Sequence, residues 1–114
     1  PDTYISDNDS SICVLFQTEN CDILITGDRG ELGEMLLLHD HELPKLELLI
    51  AGHHGSSSST GEELLAATDP ETVFISVDEN NRYGHPSDKL LARLEKIGCR
   101  VYRTDLHGTL IFWR

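Results

Sequence analysis

Leu46-Glu47-Leu48-Leu49-Ile50-Ala51-Gly52-His53-His54-Gly55-Ser56 is the stretch on which the fold turns. Residues 46–51 read as a strand. Gly52-His53-His54-Gly55 and the serines at 56–59 cannot continue it and form a loop. Two adjacent histidines cannot face the same side of a strand, and a loop between glycines is a poor place to bury them for packing. Neutral imidazole at such a tip is a common ligand for zinc or manganese, although solvated loop histidines are the commoner case.

Upstream of this stretch, residues 12–18 and 21–26 read as two strands, apolar on both faces, such as lie inside layered proteins. With Glu19-Asn20 as a two-residue turn, Cys21 falls opposite Thr18 and Cys13 opposite Thr26. That register keeps Cys13 and Cys21 apart. All three cysteines, Cys99 included, are therefore expected to be small core side chains rather than disulfides or zinc ligands. Residues 30–38 follow as a helix with Leu32, Met35, Leu36 and His39 along its inward side.

Downstream, Thr60-Gly61-Glu62-Glu63 has the form of a capping box opening a helix to about Thr68. Residues 72–77 are a β-branched, apolar strand. After the polar stretch 78–82 and Tyr83-Gly84-His85-Pro86, Ser87 caps a helix with Leu90, Leu91, Leu94 and Ile97 inward and Gly98 at its close. Residues 100–104 and 109–113 make a last pair of strands. The order β-β-α-β-α-β-α-β-β predicts an α/β fold, a mixed sheet with helices packed on it, in a single domain over 1–114. Each polar cluster of interest follows a strand, where open α/β sheets build their sites.

Twenty acidic side chains against nine basic ones give a net charge of −11, which argues against a nucleic-acid-binding surface on this chain. The acids are scattered, as on an ordinary solvated face. No apolar run approaches the roughly 18–20 residues needed to span a bilayer, so the chain is expected to be soluble. Pro1 stands where Met would open a protein, and the chain is expected to be a piece of something longer.

Among the residues that could carry chemistry, Asp28 ends a strand after Gly27, but Asp28-Arg29-Gly30-Glu31 is also a capping box. His85 precedes a helix start, where an anion is favoured, and Arg82 beside it could offer a phosphate a bidentate contact; an incidental turn histidine is the alternative. His39-Asp40-His41 sits at a helix end, where histidine is ordinary stabilisation. His107 lies in a surface turn. No G-x-S-x-G elbow accompanies the serines, which argues against a serine hydrolase.

Taken together, Ile23-Leu24-Ile25-Thr26-Gly27-Asp28, Ala51-Gly52-His53-His54-Gly55-Ser56 and Asn80-Asn81-Arg82-Tyr83-Gly84-His85-Pro86 resemble the metallo-β-lactamase domain of ComEC-type DNA-uptake proteins. Asn8-Asp9-Ser10-Ser11 and Val101-Tyr102-Arg103-Thr104-Asp105 extend the resemblance over nearly the whole chain. It implies the C-terminal half of an αββα sandwich whose complete site holds two zinc or manganese ions. Asp28 matches a bridging carboxylate. His54, with His53 as the alternative, matches the last histidine ligand, and His54-Gly55-Ser56 is similar to the His-x-Ser of related nucleases. Asn8 or Asp9 falls where many relatives have a further histidine. His85 and Arg82 match positions for the substrate phosphate or leaving group, with Ser56 close by.

The main metal motif of that fold, His-x-His-x-Asp-His, is absent from this sequence. A catalytic zinc needs about three protein ligands, so the chain is expected to carry half a site and to be inactive alone, with metal binding by the piece itself left open. The implied parent is a nuclease at the bacterial cytoplasmic membrane that degrades the DNA strand not taken up during competence. Its implied partners are the N-terminal half of the same domain, the membrane channel and DNA, with self-association of the piece as a further expectation. Hydrolysis of small phosphodiesters or lactones, or an inert scaffold, are the rival readings.

Overall fold

The computed structural model describes residues 13–27, 30–77 and 84–112, apart from the side chain of His53. Its described elements run β1 (Val14–Gln17), β2 (Asp22–Ile25), α1 (Glu31–Asp40), β3 (Leu48–Ile50), a 3-10 turn (Gly52–Gly55), α2 (Glu62–Thr68), β4 (Thr72–Ile75), α3 (Asp88–Ile97), β5 (Arg100–Arg103) and α4 (Thr104–His107). The strands form one sheet in the order β1-β2-β3-β4-β5. The first pair is antiparallel and the other three are parallel. The expected α/β class and mixed sheet are both present.

The hairpin register is the one that a two-residue turn dictates. Val14 pairs with Ile25 and Gln17 with Asp22, and the Thr18 amide donates to the Cys21 carbonyl at 2.9 Å. Cys13, Cys21 and Cys99 are all thiols. Cys13 and Cys99 pack against the core, and burial pushes the Cys99 thiol up. Cys21 is half-buried but lies outside that cluster.

Each parallel step moves to the next strand in the same direction. Crossovers of one hand then place their helices on one face of the sheet. Leu24, Leu49, Val73 and Ile75 point to that face and share a core with Leu64 and Leu65 of α2 and Leu90 and Leu94 of α3. On the opposite face the aligned residues Ile25, Ile50 and Phe74 are only half-buried, and Phe16 is 54% exposed.

Helix α3 follows the sequence closely. The Ser87 hydroxyl accepts from the Leu90 amide, and Gly98 ends the helix in the left-handed conformation at φ 74°. Leu90 and Leu94 are fully buried and Leu91 packs beside them, while Ile97 is exposed rather than inward.

Three expectations are corrected. The inward side of α1 is not Leu32-Met35-Leu36-His39: Met35 is 53% exposed, Leu32 and His39 are exposed, and Gly33 and Glu34 are buried. Helix α2 does not open with a capping box. Its N-cap is Gly61, without a side-chain cap, because the Thr60 hydroxyl accepts from the Gly52 amide instead. The chain also makes no final strand pair among the described residues. Thr104 turns it into α4 by exchanging two 2.8 Å hydrogen bonds with the backbone of Val77, donating to its carbonyl and accepting from its amide. Residues 109–112 then run beside Thr72, Phe74 and Tyr102 on the half-covered face, with Phe112 edge-on to Phe74 at 6.2 Å.

Candidate functional site

The C-terminal ends of β3 and β4, two central neighbours in the sheet, each give way to a loop. The first carries His53 and His54 and the second reaches Gly84-His85-Pro86-Ser87 before α3. Open α/β sheets place ligands at this edge.

His54 sits in the left-handed region at φ 53°, and Gly55 follows at φ 84°. A non-glycine residue there is strained, and such strain collects at functional sites. The His54 ring is exposed and its Nδ1 lies 2.8 Å from the carbonyl oxygen of Ser76, at the end of β4. A carbonyl only accepts, so Nδ1 carries the proton. In the neutral ring Nε2 then keeps its lone pair and is available to a ligand. Histidine ligands of metals are commonly fixed by such a bond from the other nitrogen.

The two loops are joined directly. The Ser87 amide donates to the Gly55 carbonyl at 2.9 Å. A Cβ on Gly55 would come within 2.7 Å of the Pro86 Cβ and 2.9 Å of its Cα, so glycine permits the approach. This contact brings the His54 loop beside the half-buried His85. Ser56 is buried, and its hydroxyl pairs with the Ser58 hydroxyl at 2.9 Å and accepts from the Ser58 amide at 3.2 Å.

The other residues named from the sequence are placed less fully. Asp9, Asp28 and Arg82 lie outside the described residues, as do Asn8 and the His53 side chain. Helix α1 has Gly30 at its N-cap, with no side-chain cap bond. Among the described residues no group of three or more His, Cys, Asp or Glu could hold a metal ion. His39 ends α1 beside Asp40, exposed, at 3.1 Å. His107 is exposed near the end of α4, with its Nδ1 2.9 Å from the Arg103 backbone. Both rings are exposed near the end of a helix.

Two residues went unnoticed in the sequence. Glu34, only 2% exposed, accepts from the Thr60 amide at 2.5 Å and the Gly61 amide at 2.8 Å. Burial raises its carboxyl to about 7; the amides of Gly61 and Thr60 oppose that shift, Glu31 adds to it and Arg93 opposes it. Arg93 of α3 donates to the carbonyls of Ser57, Ser59 and Thr60 at 2.7, 3.0 and 3.1 Å. No motif marks either residue. The signal available was a second glutamate, one turn after Glu31, set between Gly33 and the apolar run 35–38 of α1.

Compared with known proteins, the chain is 40% identical over 105 residues to ComE operon protein 3 of Bacillus subtilis, covering 92% of this chain and 14% of that protein. This chain is homologous to one stretch of ComEC-type competence proteins. Competence protein ComA of Neisseria gonorrhoeae is 33% identical over 109 residues, 95% of the chain and 16% of the relative. Recombination protein 2 of Haemophilus influenzae is 31% identical over 103 residues, 90% of the chain and 13% of the relative. The chain thus spans about one seventh of the length of these competence proteins. No family model matches it. No helix among the described residues is long and apolar enough to cross a membrane.

Proposed function

We propose that this chain is the C-terminal half of a metallo-β-lactamase-type hydrolase domain in a ComEC-type competence protein, acting on phosphodiesters of DNA during DNA uptake. The observation that carries the reading is the His54 ring, whose proton is held on Nδ1 by Ser76 while Nε2 remains open at the end of the parallel strands. The donor set fits zinc or manganese in part: an oriented imidazole suits either ion, with Asp28, His53 and Asp9 as the further candidates in this chain. A divalent ion, when bound, supplies Lewis acidity and lowers the pKa of water.

The residues of this chain have distinct roles in that reading. His54 holds its lone pair outward because Ser76 fixes the ring. His85 orients or protonates a leaving oxygen from the loop that Gly55 and Ser87 dock beside it. Ser56 and Arg82 receive the phosphate. The remaining ligands come from the N-terminal half of the same domain, and the parent places the domain at the bacterial cytoplasmic membrane beside its channel.

The net charge of −11 favours a second reading, a hydrolase of small phosphodiesters or lactones, for which no extended polyanion need approach this surface. An inert scaffold is the remaining alternative. Calorimetric titration with zinc and with manganese tests the main reading. Micromolar binding lost in both Asp28→Ala and His54→Ala supports a metal half-site. No binding in the unmutated chain assigns the essential ligands to the missing half, and equal binding in all three proteins overturns the assignment.

A further inference from the structure

Residues 56–61 are held by hydrogen bonds from both flanking helices. From α1, the Glu31 amide donates to the Ser58 carbonyl at 2.7 Å, and the Glu34 carboxylate accepts the amides of Thr60 and Gly61. From α3, the Arg93 guanidinium takes three carbonyls, those of Ser57, Ser59 and Thr60. The backbone dipoles are sorted by partner, with N–H groups to the carboxyl oxygens and carbonyls to the guanidinium. The bonds to Arg93 are charge-assisted, and those to Glu34 become so as its carboxyl ionises near pH 7.

The anchorage reaches the candidate ligand through Thr60. Its amide is held by Glu34, and its hydroxyl accepts from the Gly52 amide at 3.2 Å. Gly52 opens the 3-10 turn that presents His54. Thr60 itself adopts the left-handed conformation at φ 54°, which needs an outside hold. Gly61 packs against α1 so closely that a Cβ there would lie 3.2 Å from Glu31 Cγ.

We infer that Glu34 and Arg93 are a pair of positioning residues that close the 52–60 loop and thereby orient the His54 ring toward its ligand. The proposal rests on the reading of His54 as a metal ligand, but the state of the ring can be observed without metal. The groups facing Glu34 are Glu31 on its own helix and Arg93 across the loop.

The test is nitrogen-15 NMR and amide hydrogen exchange on the full chain, comparing the unmutated protein with Glu34→Gln and Arg93→Gln. A glutamine at 34 keeps the shape, but its NH2 group cannot accept an amide proton. Expected in Glu34→Gln is about a tenfold or greater rise in exchange at Gly52, Thr60 and Gly61, with Leu49 and Val73 in the core strands unchanged. The His54 Nδ1 proton signal should broaden or move, and in a chain that binds zinc the affinity should fall by a similar factor. An unaltered His54 ring signal, or a rise spread equally over the core strands, overturns the proposal. If Glu34→Gln does not fold, Arg93→Gln is read in the same way; failure of both to fold means the pair merely supports the fold and also overturns it. Absence of zinc binding in the unmutated chain assigns the essential ligands to the missing half, and the ring signal still decides the positioning.

Discussion

Gly55 and Pro86 meet so closely that the approach excludes any side chain at position 55, and this contact seats the His54 loop on the loop carrying His85. Gly55→Ala must accommodate both a Cβ 2.7 Å from the Pro86 Cβ and a backbone at φ 84°. The expected loss of stability is roughly 1–3 kcal/mol from overpacking, with about 1–2 kcal/mol more from the left-handed backbone. Urea unfolding of the two proteins measures it; an unchanged midpoint would mean that the loops are not joined as described.

His54→Gly separates function from stability. Glycine removes a left-handed strain of about 1–2 kcal/mol and forfeits one hydrogen bond to Ser76 worth roughly 0.5–1.5 kcal/mol. These offset, so the thermal midpoint should shift by only a few degrees while zinc binding disappears. Parallel thermal melts and calorimetry check both halves of the expectation.

Glu34 links stability to pH. Its folded carboxyl titrates near 7, above the solvated value of 4.5, chiefly because it is buried. A raised folded pKa means that the native state holds the extra proton between these values. The stability it contributes is therefore complete below about pH 4.5 and is lost as pH rises through about 7. At about 1.4 kcal/mol per pH unit the loss reaches up to roughly 3 kcal/mol. Subtracting the unfolding free energies of Glu34→Gln from those of the unmutated chain, pH by pH, should isolate this slope; a flat difference would contradict it.

Ser59 and Ser87 should respond oppositely to alanine. The Ser59 hydroxyl is buried without a hydrogen-bond partner among the described residues, so Ser59→Ala is expected to be neutral or stabilising, since leaving such a group unmet costs about 1–3 kcal/mol. Ser87 caps α3 through the Leu90 amide at 3.1 Å, and Ser87→Ala should cost about 1 kcal/mol. Denaturation midpoints for the two variants provide the comparison.

Where local chemistry decided the structure, the sequence was readable. Glu19-Asn20 set the hairpin register, Ser87 and Gly98 bounded α3, and the glycines at 52 and 55 marked the His54 turn. The side of α1 that faces inward was not readable, because Met35-Leu36-Leu37-Leu38 is apolar all round and its period points nowhere. Glu34 is buried because two amides await it on a loop distant in sequence, a pairing that no helical spacing announces. The expected last strand pair gave way to α4 because Thr104 found both of its partners on Val77, beyond the reach of any local pattern. Of the candidate site, His54 and the approach of the 84–87 loop are placed, while Asp9, Asp28 and Arg82 fall outside the described residues.

The strand order also bears on the sequence of events in folding. The β1–β2 hairpin closes over two residues, so its loop-closure entropy is small and it can form early. Gly55 and Ser87 touch only after α2 and β4 have been laid between them and β3 has found β4 in register. The candidate site is thus assembled late, from the slowest kind of pairing in the molecule. Any ion that prefers the finished arrangement would draw the chain toward the native state by mass action, making its affinity and the folding equilibrium two views of one quantity.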